Sequence, residues 1–310
     1  MTRVAVLKGG RSLEREVSLR SGARVEDALK RLGHEVHGLD VDHDLVRRLR
    51  ALAPDVCFLA MHGRDGEDGT VQELLEILGL PYTGSGVSAC IRCSDKVLAK
   101  HHMLDAGLPT PDFVAFTETA FKQLGAAEAL GEIEARLGFP MVVKPADQGS
   151  ALGLRIAGSA AEIPTALVAA FSYSGKVLLE RHVAGRDLAV SVLDGVALPI
   201  VEAVPEGGGA YDFDARYEIG RSAFVCPADL PPAVTARAQE LAVAVHELLG
   251  CRDVSRIDLL CDADDELHVL EANVIPGLTD TSLLPQAADA AGIGFDELIG
   301  RLVERALARA

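Results

Sequence analysis

The sequence predicts an α/β protein built from more than one unit, and three observations carry that reading. A chain of 310 residues exceeds one ordinary hydrophobic core and suits two or three domains. Near its start, short apolar strands at 4–7, 35–39 and 56–60 alternate with helical stretches near 21–32 and 45–52, the pattern of an open sheet covered by helices. Near its end, residues 256–277 read as two short strands joined by an acidic turn at 262–266.

The first strand runs into Gly9-Gly10, and Ser12 is the natural N-cap of the helix that follows. Strand, glycine turn and helix invite a dinucleotide site, but the third glycine of that fingerprint is missing and a carboxylate-rich first turn would repel a pyrophosphate. Glu14 at this helix start is either a dipole partner or a carboxylate waiting for a substrate ammonium. After the strand at 56–60, the loop 62–70 carries three glycines that let backbone approach a ligand. His62 is suited to contact a small anion or a carbonyl; a capped helix start at Asp68 or Thr70 is the plainer reading of the same loop.

Residues 79–86 mark a break, and the first boundary falls near residue 93. A helix over 94–106 carries Lys96 and is stopped by the Gly107 to Pro111 run. The strand 141–144 delivers Lys144 to a small-residue loop at 145–153, and a second strand follows at 154–157. Such a loop is a flap whose amides and hydroxyl can close over phosphate, or simply a glycine-rich turn; the adjacent Lys144 favours phosphate. Residues 177–183 look like a buried strand turning polar, a hinge to the third unit. A hairpin is predicted from 187–193 and 196–201 across Asp194-Gly195. The segment 206–217, with glycines at its base and aromatics at its tip, reads as a functional lid. Helices at 231–249 and 295–309 flank the acidic hairpin.

If that hairpin is symmetric about Asp264 and Asp265, Arg256 lies opposite Asn273, Asp258 opposite Glu271 and Leu260 opposite Val269, all on one face. Opposed carboxylates destabilise a sheet unless something positive sits between them. Asp258, Glu271 and Asn273 form an all-oxygen set that suits a hard ion such as Mg2+, and Arg256 is placed to meet an anion beside it. A solvated acidic hairpin is the alternative.

The formal charge of −16 argues against non-specific binding to nucleic acid or anionic membrane. An apolar fraction of 49 % with 4 % aromatics and no Trp describes a soluble globular chain, in which no apolar run approaches the roughly 18 residues of a membrane span. The first residues read as a strand and not as a signal peptide, so the expected location is cytoplasmic. Six scattered Cys include one Cys-x-x-Cys at Cys90 and Cys93, which without a second pair reads as buried thiols in preference to zinc or redox chemistry.

Together, residues 9–18, 62–70, 82–86, 94–96, 143–145, 211–217, 256–258 and 270–273 with Pro276-Gly277 make the chain resemble the D-alanine:D-alanine ligases of the ATP-grasp superfamily. The resemblance spans nearly the whole chain and implies an ATP-grasp fold of three α/β domains with a Rossmann-like open sheet first. The domains would be 1–93 for substrate, 94–182 with the phosphate flap, and 183–310 with the metal site and lid. It implies that one D-alanine carboxylate attacks the γ-phosphate of ATP, and that the amine of a second D-alanine displaces phosphate from the acyl phosphate, for peptidoglycan precursor synthesis. ATP and Mg2+ are the implied cofactors, two ions, with Mn2+ able to stand in; a homodimer is the implied assembly.

By the same resemblance Glu14 receives the first ammonium, while Ser150 and Tyr217 join Glu14 in a link between flap, lid and first domain. Lys96, Lys144, Ser150, Ala151 and Arg216 meet phosphates, Glu180 lies where adenine is read and Asp187 where ribose is held. His62, Arg256, Gly277, Ser282 and Leu283 would surround the amino acids, with Arg256 stabilising the tetrahedral species. Tyr217, in place of Phe, favours a dipeptide over a depsipeptide. Several positions depart from the family pattern: Arg216 for Lys, Asp187 for Glu, Ala151 for Ser, and Val274-Ile275 for Thr-Ser. A relative that joins another D-amino acid in a specialised biosynthetic or self-resistance pathway is the nearest rival. A nucleotide-binding protein without catalysis would require a missing metal ligand, and all three are present.

Overall fold

The computed structural model describes residues 1–205 and 222–309. Three sheets carry the chain, and each forms where the sequence supplies the matching pattern. The first holds β1 (Arg3–Lys8), β2 (Glu35–Asp40) and β3 (Val56–Leu59) in the order β2-β1-β3, all parallel. Val4, Ala5, Val6 and Leu7 are buried on both faces, as a parallel strand covered on each side by helices demands.

Helix α1 (Arg15–Arg31) follows β1 and buries Val17, Ser18, Ser21, Val25, Ala28 and Leu29 along one stripe. It starts later than Ser12. The Ser12 hydroxyl accepts from the Glu14 amide and the Ser12 carbonyl from the Arg15 amide, so a local turn takes up the capping capacity before the helix begins. Helices α2 (Leu45–Leu52), α3 (Thr70–Leu78) and α4 (Val87–Ser94) complete this region. The helix predicted over 94–106 is separate from α4: Asp95 is extended, and its carboxylate caps α5 (Lys96–Asp105) by accepting from the Val97 and Leu98 amides at 2.9 and 3.1 Å.

The second sheet is antiparallel, in the order β4 (Phe113–Thr117), β7 (Lys176–Arg181), β5 (Met141–Pro145), β6 (Arg155–Ala157). Strand β7 is therefore not a hinge: it pairs with β4 on one side and β5 on the other and is buried from Val177 to Glu180. Helices α6 (Glu118–Gln123), α7 (Leu130–Leu137) and α8 (Ile163–Phe171) belong to the same unit, where α7 and α8 cover one apolar face.

The third sheet runs β11 (Ser222–Val225), β10 (Val201–Pro205), β8 (Gly185–Leu193), β12 (Val254–Asp262), β13 (Leu267–Asn273), with β9 (Val196–Ala197) on β8. The Asp194-Gly195 turn has φ of 54° and 78°, the left-handed pair of a type I′ hairpin. Its second strand is shorter than predicted, ending at Ala197 before Pro199, which offers no amide to a ladder. The acidic hairpin pairs Arg256 with Asn273 and Asp258 with Glu271 as predicted, but Leu259 with Val269 and Leu260 with His268. An extra residue, Leu270, makes a bulge there and moves the predicted Leu260 to Val269 pairing by one position.

Helices α9 (Pro232–Leu248), α10 (Leu283–Ala290) and α11 (Phe295–Leu307) finish the fold. Helix α11 leaves the third sheet and packs on the first: Leu298, Ile299, Leu302 and Val303 share a core with Val4, Val6, Val25, Leu29 and Phe58. Arg31 and Asp296 close the edge of that contact with paired bonds of 2.8 and 2.6 Å. Among the described residues no helix is long and apolar enough to cross a membrane. All six cysteines are thiols, and five of them are buried.

Candidate active site

Most of the predicted residues that lie in the described part of the chain line three cavities that share lining residues. Lys96, the first residue of α5, donates to the Gln148 carbonyl of the flap at 2.8 Å and lies 3.0 Å from Glu271 on β13. Its own amide is fixed by the Ala146 carbonyl at 2.9 Å, so one residue joins all of these parts. A cavity of about 270 Å³ opens beside it, lined by Gly63, Glu67, Asp95, Lys96, Gln148, Gly149, Glu271 and Asn273.

An adjoining cavity of about 60 Å³ brings together Glu14, His62, Ser150, Arg256, Gly277, Ser282 and Leu283. Burial, reinforced by the nearby Glu67 carboxylate, pushes the Glu14 carboxyl above its ordinary value, against the hydrogen bond from Ser150. The Ser150 hydroxyl donates to Glu14 Oε1 and ties the flap to the first sheet's helix. Ser150 and Ala151 both hold φ of 54°, a left-handed conformation costly for residues with a Cβ. Gly149 lies close against Glu14, where a Cβ would come 3.0 Å from Oε2 and crowd the carboxylate.

His62 is buried, with Nε2 3.1 Å from the Ser21 hydroxyl and Nδ1 3.8 Å from Glu67. Ser21 also accepts from the Leu278 amide at 3.3 Å, and Arg24 donates to the Leu278 carbonyl at 2.7 Å. Helix α1 thus grips the loop that carries Gly277 and Ser282. In that loop the Ser282 hydroxyl accepts from the Thr279 amide at 3.0 Å and lies where a Cβ on Gly277 would come within 2.6 Å.

On the hairpin face Arg256 binds Asp258 with both arms, at 2.7 and 2.8 Å, and Asn273 Nδ2 lies 3.3 Å from the same carboxylate. The opposed carboxylates are thus each met by a cation of the protein, Arg256 on Asp258 and Lys96 on Glu271. Lys144 and Ala151 line a third cavity, about 60 Å³, with Lys96, Gln148 and Glu271. Glu180 lies behind it, 2 % exposed, with Lys144 on one oxygen and Lys100 on the other. Burial opposes ionisation of Glu180, and the two lysines outweigh it, holding its carboxyl below the ordinary value. Asp187 sits on β8 in register with Ala203 and Leu260. Arg216 and Tyr217, with the rest of the 206–217 segment, lie outside the described residues.

Sequence reasoning missed Lys100, Glu67, Ser21 and Arg24. Lys100 had a signal: it stands four residues after Lys96, hence on the same helix face. Ser21 and Arg24 had none, because the Leu278 backbone they both hold lies more than 250 positions later.

Two sequence patterns match in order: that of the D-ala D-ala ligase N-terminus over residues 46–85, and that of the D-ala D-ala ligase C-terminus over residues 103–304. A D-alanine--D-alanine ligase of Moorella thermoacetica is 43 % identical over 308 residues, covering 98 % of this chain and 99 % of that protein. The same name belongs to an Anaeromyxobacter sp. (strain K) protein, 43 % identical over 308 residues, with 99 % and 98 % covered. Among solved structures, the D-alanine--D-Alanine Ligase from Bacillus anthracis superposes with a TM-score of 0.87 at 32 % identity, covering 100 % of this chain and 98 % of that one. The form of that enzyme complexed with ATP gives a TM-score of 0.84 at 30 % identity, with the same coverage. Alike from end to end in sequence and in fold, the chain belongs to the D-alanine–D-alanine ligase family, with an ATP-grasp fold.

Proposed function

We propose that this protein is an ADP-forming ligase that joins two D-alanine molecules at the expense of ATP, through a D-alanyl phosphate, to supply a peptidoglycan precursor. The observation that carries the reading is Lys96, held between the flap carbonyl and Glu271 at the wall of the larger cavity. A cation fixed by both a flap and a carboxylate strand suits transfer of a phosphoryl group, which needs positioning and charge neutralisation more than covalent help.

In this reading residues 94–182 and 183–310 enclose the nucleotide, and residues 1–93 present the amino acids. Lys96, Lys144 and the flap amides hold the phosphates. Glu14 orients the ammonium of the first D-alanine, and its bond from Ser150 closes the flap over that substrate. The loop from Gly277 to Leu283 seats the second D-alanine, whose amine attacks the acyl carbon, and Arg256 steadies the oxyanion that forms.

The residues present fit a hard divalent cation. Asp258 and Glu271 face each other in register with Asn273 beside them, an all-oxygen set. Mg2+, once bound, would supply charge neutralisation across the phosphates. Arg256 and Lys96, which meet those carboxylates here, would then be less fully engaged by them and available to anionic substrate.

The test is phosphate release by the purified protein with ATP and Mg2+, with and without D-alanine, the product being identified by mass. Release that depends on D-alanine and matches dipeptide one for one supports the proposal. Dependence on a different D-amino acid would move the error to the second-substrate loop; no release with any of them, despite ATP binding, would overturn it.

A further inference from the structure

Lys100, one helical turn beyond Lys96, has no part in the proposed reaction, and it is wholly removed from solvent at 0 % exposure. Its ammonium lies 2.9 Å from Glu180 Oε2 and donates to the Thr110 hydroxyl at 2.5 Å. Thr110 passes the chain on to the Val269 carbonyl of β13 at 2.8 Å, and the ammonium also stands 5.2 Å from the centre of the Phe113 ring. Burying an ammonium is costly, and burial does push Lys100 below the ordinary lysine range while Glu180 pulls it back. A buried methionine would fill the same space at less cost, so the charge calls for a use.

The use follows from counting charges. Two ammonium groups share one carboxylate, with Lys144 on Oε1 and Lys100 on Oε2. If Glu180 met Lys144 alone, the pair would be neutral, and both oxygens would compete for the protons of the ammonium that faces the flap cavity. With Oε2 already engaged by Lys100, the trio carries one net positive charge. The member that reaches the cavity is Lys144, itself buried at 8 % exposure, which lines it with Lys96 and Glu271.

We propose that Lys100 is a positioning residue for the nucleotide: by occupying the far oxygen of Glu180 it leaves Lys144 held by one oxygen alone, oriented towards the flap cavity and available to a phosphate. The inference rests on the reading that Lys144 meets the nucleotide. It places a determinant of nucleotide affinity at the junction of α5, β7 and β13, on a side chain that is itself wholly buried.

The experiment measures calorimetric affinity for a non-hydrolysable ATP analogue with Mg2+ in the wild type, Lys100→Met, Glu180→Gln and the double variant, together with KM for D-alanine. Loss of one charge-assisted contact weakens analogue binding in Lys100→Met about tenfold, while KM for D-alanine stays within about twofold of wild type. Because Lys100 acts through Glu180, the same substitution made in Glu180→Gln changes affinity by less than about twofold. A merely structural lysine would lower the melting temperature and leave the folded protein's affinity unchanged, which overturns the proposal, as would full additivity in the double variant. Should Lys100→Met fail to fold, Thr110→Val removes only the hydroxyl bound to Lys100; a weakening of about threefold supports the proposal and an unchanged affinity overturns it. A wild-type protein that binds no analogue would sink the nucleotide reading itself, a different result from wild-type binding with an indifferent Lys100→Met.

Discussion

Glu271→Gln separates the metal role of the hairpin from its structural role, because the two predict losses of different size. The perturbation is nearly isosteric and removes one charge. Lys96 and Glu271, at 3.0 Å and with side chains only 10 % and 16 % exposed, attract each other by about 5 kcal/mol at an effective dielectric near 20. Much of that is retained: glutamine still offers an acceptor, and Lys96 keeps its 2.8 Å bond to the Gln148 carbonyl. The net cost is then that of one charge-assisted hydrogen bond, about 1–3 kcal/mol. Against an ordinary folding stability of about 5–15 kcal/mol this leaves nearly every molecule folded. Turnover should nonetheless fall about 100-fold or more, since a metal ligand contributes several kcal/mol in the transition state. The assay pairs denaturant unfolding with phosphate release across a range of Mg2+ concentrations. Turnover within about fivefold of wild type, with an unchanged Mg2+ dependence, would refute the metal assignment.

Three further perturbations probe the parts around this centre. Glu14 has a carboxyl raised by burial, so its ionised form is disfavoured in the fold and costs stability as pH rises above the unfolded value of 4.5; Glu14→Gln should therefore melt higher than wild type at neutral pH, the gap closing towards pH 4.5, while ligation collapses. Asp40 shows the opposite sign: paired with Arg15, its carboxyl sits at about 2 against an ordinary 3.8, so its contribution is present above pH 3.8 and is lost as pH falls through about 2. Both side chains are more than a third exposed, which screens that contribution to about 1 kcal/mol, read as the difference in unfolding free energy between wild type and Asp40→Asn at neutral pH and near pH 2. Arg24→Met frees the Leu278 carbonyl and the Asp280 carboxylate, and should raise KM for D-alanine about fivefold with the ATP dependence unmoved; an equal rise in both would reassign the residue to general stability.

How much of this was legible in the sequence depended on how local the determining contacts are. The pairing of Arg256 with Asn273 and Asp258 with Glu271 follows from alternation about a short turn, a relation within some twenty residues. The bulge at Leu270 was invisible because nothing in Val269-Leu270-Glu271 distinguishes two residues opposite one from one opposite one. Strand β7 read as a hinge because its apolar run ends in charge, yet Glu180 is buried by lysines that arrive from α5 and β5. The site residues on motifs, Glu14, Ser150 and Lys96, were legible one by one; that Ser150 bonds Glu14 across 136 positions of sequence was legible only through the family resemblance. The break at Asp95 lay in plain view as a capping residue, but a helix running through it was equally consistent with the apolar spacing.

The placement of α11 has a consequence for how the protein is made. Synthesis delivers β1, α1 and β3 well before Leu298, Ile299, Leu302 and Val303, which close over Val4, Val25, Leu29 and Phe58. A nascent chain therefore carries an open apolar face on its first sheet until α11, at Phe295–Leu307, has left the ribosome. Contacts of such long sequence separation delay the final collapse, and they leave one face of the first sheet without its core until α11 arrives. A stop codon anywhere before residue 295 would remove the seal from the opposite end of the chain, so loss of a helix remote in sequence would be felt first at the strand that begins it.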